Sequence, residues 1–319
     1  MTSGSPTRVA AYDCGTNSLR LLIADVIDGR LVDVVRDLDV VRLGQGVDRT
    51  GRFDDEALER TFASAERFAA LCREHGVPGD RVRFAATSAT RDASNREEFI
   101  RRITEIVGVA PEVITGDEEA ALSFRGAAST APERDGLTLV VDLGGGSTEL
   151  VLGGDELESA FSMDIGSVRM TERHVHSDPP TLDEVEAVRS DVRAALAEAL
   201  KTVDVSRTAT IVGVAGTITT VTARALGLER YDSDAIDGSE LSLEAVLTAC
   251  DELSVMPRAE RASLAYIHPG RVDVIPAGAM IWAEVLRRVR TEGAAVGAGI
   301  GSVTTSEHDI LDGLALSLA

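Results

Sequence analysis

The sequence predicts an α/β protein built from two related halves that face each other across a cleft. Three observations predict it. First, residues 139–152 set one acid, Asp142, three successive glycines (Gly144, Gly145, Gly146), the hydroxyls of Ser147 and Thr148, and a second acid, Glu149, between two apolar runs. Short Val- and Leu-rich runs around a glycine turn read as two strands of a hairpin. Second, residues 9–22 repeat the pattern without gaps: Asp13 falls on Asp142, Gly15 on Gly144, Ser18 on Ser147 and Leu21 on Leu150. Third, a chain of 319 residues favours two domains over one. Its low aromatic content, 3%, with abundant Ala, Val, Leu and Gly, suits alternating strands and helices packed through small side chains.

The hairpins carry chemistry as well as shape. Successive glycines leave backbone N–H groups unshielded and able to form a concave nest for phosphate oxygens. Asp142 closes one strand and Glu149 opens the next, which lets both carboxylates face a cation. Mg²⁺ suits such a pair, because it takes one or two protein carboxylates and completes its octahedron with water and phosphate. Where the later copy has Glu149 the earlier has Arg20, a guanidinium matched to phosphate oxygens. Taken alone, each string equally suits a glycine-rich hairpin with solvated acids.

Composition narrows the partners. With 53 Asp and Glu against 32 Lys and Arg, the net charge is −21. Such a surface repels nucleic acid and anionic membrane, and the chain has no Lys/Arg-rich run to reverse it locally. Lys201 is the only lysine and ends an apolar-patterned helix, where it complements the dipole. Phosphate-binding cations must then be arginines, and no Gly-rich loop ending in Gly-Lys-Ser/Thr is present. Cys14, Cys72 and Cys250 are odd in number and far apart, which predicts a reduced, cytoplasmic setting. Residues 1–7 are short and polar, unlike a signal sequence, and no apolar run is long enough to span a membrane.

Along the chain, residues 31–41 read as a strand, and Leu58, Phe62, Ala65, Phe68, Ala69 and Cys72 recur at helical spacing up to His75-Gly76. Residues 82–86 form a strand that empties into the small, polar run 87–95, from which Arg91 reaches the strand end where α/β proteins bind ligands. The same run also serves as a connection with a helix N-cap at Ser94 or Asn95. Asp117, Glu118 and Glu119 open a helix, as acids do at its positive end. Residues 126–136 connect the halves. Residues 161–170 read as strand and turn, and His174 and His176 as loop or helix end. Residues 181–200 form a helix from a Thr-x-x-Glu capping box. Residues 208–214 form a buried strand that opens onto Gly216-Thr217, a further anion contact or a tight strand–helix packing point. Residues 274–286 make a buried helix, 293–301 a strand or loop, and 310–318 a terminal helix.

Several of these segments together resemble the exopolyphosphatase and guanosine pentaphosphate phosphatase family, within the actin, sugar kinase and Hsp70 superfamily. They are Asp13-Cys14-Gly15-Thr16-Asn17-Ser18-Leu19-Arg20, the 86–95 run, Gly116-Asp117-Glu118-Glu119-Ala120, the 142–149 hairpin and Ala215-Gly216-Thr217. Weaker echoes lie at 166–172 and 271–278. The resemblance implies two ribonuclease-H-like (actin-like ATPase) domains, 1–125 and 126–304, around a phosphate cleft, with a C-terminal helix of about 305–319 packing back on the first. It implies Glu119 as catalytic base and Asp142, Glu149 and Asp13 as metal-associated carboxylates. Phosphate-binding positions are Asn17, Ser18, Arg20, Arg91, Gly144, Gly145, Gly146, Ser147, Gly216 and Thr217. The expected metal is Mg²⁺, with Mn²⁺ as the alternative, and the expected assembly a homodimer. Two departures stand out. No helical C-terminal domain follows, and the family's Gly-Leu-Arg-Glu-Gly pattern survives only as His308-Asp309-Ile310-Leu311-Asp312-Gly313.

The expected activity is release of terminal orthophosphate from inorganic polyphosphate, with short chains preferred. Hydrolysis of guanosine pentaphosphate presents the same reacting group. An ATP-dependent sugar kinase or chaperone-like ATPase on the same fold is the alternative from a different class, and the Glu119 segment argues against it.

Overall fold

The computed structural model describes residues 6–128, 136–297 and 299–318. It divides into two compact units: Met1–Gly126 with Ile310–Ala319, and Ala127–Asp309. The expected connection at 126–136 falls largely outside the described residues, and 126–128 continue a helix.

The first unit holds strands β1 (Thr7–Cys14), β2 (Leu19–Ile27), β3 (Arg30–Asp39), β4 (Val82–Ala86) and β5 (Glu112–Val113), ordered β3-β2-β1-β4-β5. The meander β1-β2-β3 is antiparallel, and β4 and β5 add in parallel. Side chains of a strand alternate between faces. Ala10, Tyr12 and Cys14 therefore enter one core with Phe62, Phe68, Phe84 and Phe99, while Val9 and Ala11 enter another with Leu122, Ile310, Leu311 and Leu314. Asp13 lies on the second face. The helix Asp55–Glu74 buries Leu58, Phe62, Ala65, Phe68, Ala69 and Cys72, the spacing read from the sequence, and is capped by Asp54. Asn95 occupies the N-cap position of Arg96–Val107 without a capping bond. Its amide instead pairs with the Phe53 backbone, at 2.8 Å to N and 3.2 Å to O.

The second unit repeats the plan with β6 (Leu137–Leu143), β7 (Thr148–Gly153), β8 (Leu157–Met163), β9 (Thr208–Val214), β10 (Glu240–Ser242) and β11 (Ser302–Thr305). The order β8-β7-β6-β9-β11 reproduces the first sheet, and β10 adds an antiparallel edge. Both sheets are ribonuclease-H-like in order and direction, as the duplicated hairpin requires. The capping box at Thr181 forms as expected, and the apolar helix spans Ile275–Ala295 around buried Trp282.

Three expectations are corrected. Residues 161–170 are not strand and turn throughout: β8 ends at Met163, and Ser167–His174 is a helix. Its first turn is anchored by bonds to the 144–146 loop, a tertiary contact that periodicity does not report. Residues 293–301 start inside the helix that runs to Ala295. The return to the first unit begins at Ile310 rather than near 305, because Ser302–Thr305 belongs to the second sheet. No described helix is long and apolar enough to cross a membrane.

The terminal helix Ile310–Leu316 answers the altered C-terminal pattern. Asp312 is fully buried and receives Arg36 of β3 through two hydrogen bonds, 2.5 Å and 3.1 Å. Arg125 and Arg81 donate to the Leu316 and Leu318 carbonyls, satisfying groups that a helix C-terminus leaves open. Asp312→Ala removes one partner of a buried pair, and the expected cost is about 3 kcal/mol. Amide hydrogen exchange in β1 and β2 measures it, and unchanged protection there would refute this role.

Candidate active site

The two glycine turns have the same backbone geometry. Gly15 N donates to Ser18 O at 3.0 Å, and Gly144 N to Ser147 O at 3.0 Å. What differs is the cross-strand pair beside each turn. In the first unit Asp13 lies directly opposite Arg20, and the guanidinium closes on Asp13 Oδ2 through Nε at 2.9 Å and Nη2 at 2.7 Å. In the second unit Asp142 lies directly opposite Glu149. Both are buried, 6% and 1% exposed, and Ser162 Oγ donates to Glu149 Oε1 at 2.6 Å.

Directly opposed carboxylates repel, and a cation between them would relieve that repulsion. No cluster of three or more His, Cys, Asp or Glu that could hold a metal occurs among the described residues. A two-carboxylate set suits Mg²⁺, which keeps waters and takes substrate oxygens, better than a metal needing an all-protein cage. Asp13, expected among the metal carboxylates, accepts both of these hydrogen bonds from Arg20.

The first unit also buries an acid, Glu119. Glu119 sits in the first turn of Gly116–Ala128 and is 8% exposed. Arg91, from the short helix Ser88–Asp92 that follows β4, donates from Nη1 to Glu119 Oε2 at 2.8 Å and to Ile114 O at 2.9 Å. Burial raises the Glu119 pKa; the Arg91 charge and hydrogen bond pull it down, Asp13 pushes it up, and the Thr87 hydroxyl pulls it down again, with a net rise. A carboxyl raised in this way is a stronger base when ionised, the property a general base needs. It also makes the fold lose stability as pH rises from the unfolded carboxyl's pKa through the folded one, because the native state holds the proton more tightly. Arg91→Gln removes the main influence favouring the carboxylate. The acid limb of the kcat/KM profile is therefore expected to move to higher pH, and a limb that stayed in place or moved down would exclude the pairing as its cause.

Asn17 contributes a buried Oδ1 with no hydrogen-bond partner. The Asn17 and Thr16 carbonyls are taken by Arg42 N at 2.9 Å and Gly44 N at 2.8 Å. Trans peptide planarity then turns the following N–H groups, those of Ser18 and Asn17, the opposite way.

In the second unit Gly216 and Thr217 open the helix Gly216–Ala225 beyond β9. The preceding Ala215 has φ 72°, rare for a residue with a side chain. Such strain, about 1–3 kcal/mol, collects at ligand sites. A Cβ on Gly216 would fall 1.8 Å from Arg271 Nη1, so the Arg271 guanidinium lies against this helix N-terminus. Two positive ends in contact favour an anion between or beside them. The sequence marked 271–278 only as an echo; a lone Arg after His-Pro-Gly has no local signature, and Arg271 and Thr87 are the residues that sequence reasoning missed. His174 pairs with Asp191 at 2.7 Å, an ordinary surface contact.

Two ribonuclease-H-like sheets, each with a glycine turn beside buried acidic side chains, are the fold of a phosphoanhydride hydrolase class. The chain matches the Ppx/GppA phosphatase family over residues 22–317 and belongs to it. It is 51% identical over 322 residues to exopolyphosphatase 2 of Mycobacterium tuberculosis, covering 98% of this chain and 99% of that protein. Among solved structures it resembles an exopolyphosphatase-like protein, with 51% identity, a TM-score of 0.95 and 98% of each chain covered. It also resembles the Aquifex aeolicus Ppx/GppA family member, with 31% identity, a TM-score of 0.78, and 98% and 97% of the two chains covered.

Proposed function

We propose that the protein is an exopolyphosphatase that releases orthophosphate from the end of inorganic polyphosphate. The observation that carries the reading is Glu119, a buried carboxyl of raised pKa held by Arg91 beside the Asp13–Arg20 turn. Hydrolysis of a terminal phosphoanhydride needs an in-line water and neutralisation of the phosphoryl oxygens. Glu119 orients that water and takes its proton. In the first unit Arg20 and Arg91, with Asn17 and Ser18, offer contacts to phosphate oxygens, and in the second the Gly145, Gly146 and Ser147 amides, with Gly144, Gly216 and Thr217, offer others. Arg271 joins them at the Gly216 helix. Asp142 and Glu149 would hold Mg²⁺, which would supply charge neutralisation for the phosphate.

These arginines and the metal also reconcile an acidic protein with a polyanionic substrate, since they reverse the potential where the phosphate lands. Guanosine pentaphosphate presents the same triphosphate end and is the second substrate in this reading. Parallel assays of phosphate release from short and long polyphosphate, guanosine pentaphosphate and ATP, with and without Mg²⁺, test it. Turnover confined to ATP and stimulated by a sugar or peptide would replace it with a kinase or chaperone-like ATPase. A cytoplasmic homodimer that binds neither nucleic acid nor membrane completes the proposal, and sedimentation of the purified chain tests the dimer.

A further inference from the structure

We infer that Arg169 is a positioning residue for the reaction: it locks the peptide that presents the Ser147 N–H to the phosphate. This rests on the phosphohydrolase reading above. All three glycine carbonyls of the turn face the start of the helix Ser167–His174. Gly144 O accepts from Ser167 N at 3.0 Å. Gly145 O accepts from Val168 N at 2.8 Å and Arg169 N at 3.1 Å. Gly146 O accepts from the Arg169 side chain, Nε, at 2.8 Å. In a trans peptide each carbonyl and the N–H that follows it point in opposite directions. The N–H groups of Gly145, Gly146 and Ser147 therefore all point away from the helix, as a nest for an anion requires.

The first two carbonyls are held by backbone amides, which any sequence supplies. The third is held by a side chain, and only an extended cation at this position reaches it. In the first unit the corresponding carbonyls, those of Thr16 and Asn17, are both held by backbone amides. Arg169 therefore supplies what the second unit's loop lacks. A run of three glycines turns its peptides at little cost, and a reversed 146–147 peptide would aim a carbonyl instead of an N–H at the substrate. The close docking needs Gly166, where a Cβ would fall 2.4 Å from Gly145 C and O.

The test compares the full-length wild type with Arg169→Met, Arg169→Lys and Gly166→Ala, with Mg²⁺ and polyphosphate, measuring kcat, KM and the salt dependence of kcat/KM. Arg169→Met is expected to lower kcat about 10- to 100-fold. Its salt dependence should match wild type, because a positioning role places the loss in loop geometry rather than in charge presented to the substrate. Arg169→Lys, which keeps one donor, should recover part of the loss, and Gly166→Ala should reproduce it by pushing the helix off the loop. A kcat within twofold of wild type for Arg169→Met would overturn the inference. So would a loss confined to KM with weakened salt dependence, which would mean that Arg169 touches the substrate itself. A Lys variant that recovers nothing, or a fully active Gly166→Ala, counts against it equally, and these two variants decide if Arg169→Met does not fold. A wild type that releases no phosphate would instead remove the reading beneath it.

Discussion

Glu119→Gln is expected to lower kcat for phosphate release from polyphosphate by about 10²- to 10⁴-fold, the range for losing a positioned general base. The substitution is nearly isosteric, and its amide oxygen still accepts from Arg91, so the 2.8 Å contact and the burial of the side chain persist. What disappears is the capacity to take a proton. KM should change little, because the guanidinium groups and amides that bind phosphate are untouched. Steady-state kinetics on a defined chain length provide the measurement, and turnover within threefold of wild type would remove Glu119 from this role.

The second large effect is expected at Glu149. Glu149→Gln keeps the shape and the Ser162 contact but removes one of two opposed buried charges. Without metal the variant should unfold no earlier than wild type, since a cross-strand repulsion is relieved. With Mg²⁺ the order should reverse. The wild type gains stability by mass action, about 2.7 kcal/mol at a hundredfold excess over Kd, and the variant gains less. Turnover should fall by about 10²-fold or more, because a bound cation contributes several kcal/mol of charge stabilisation in such reactions. Thermal melts with Mg²⁺ and with a chelator, beside the activity assay, separate the two effects. A variant with wild-type Mg²⁺ response and rate would assign the cation elsewhere.

Much of this was readable from the chain because it was written twice. The gapless match of 10–22 to 139–151 anticipates both the sheet order and the alignment of Asp13 with Asp142, because hairpin register follows from strand period and turn length. Glu119 and Arg91 were legible as residues in strand-end and helix-start segments, but their contact was not, since 28 positions separate them. The helix Ser167–His174 was misread because its start is set by carbonyls some twenty positions earlier. Glu284 shows the same limit: it lies buried in an apolar-patterned helix because Arg193, 91 positions away, pairs with it at 2.8 Å. Asp13 and Asp142 hold matching hairpin positions, but their cross-strand partners, Arg20 and Glu149, differ in charge, which the strand pattern alone does not reveal.

The Ile310–Leu316 helix has a consequence for how the protein comes into being. Its Ile310, Leu311 and Leu314 complete the apolar layer over Val9, Ala11 and Leu22, yet the ribosome delivers them after the whole of 127–309. At roughly 5–20 residues per second that interval lasts on the order of 10–40 s. Throughout it, the apolar layer of Val9, Ala11 and Leu22 lacks its covering helix. A nascent chain halted before residue 310 is thus marked for removal by its own unfinished first half, whatever state its second half has reached.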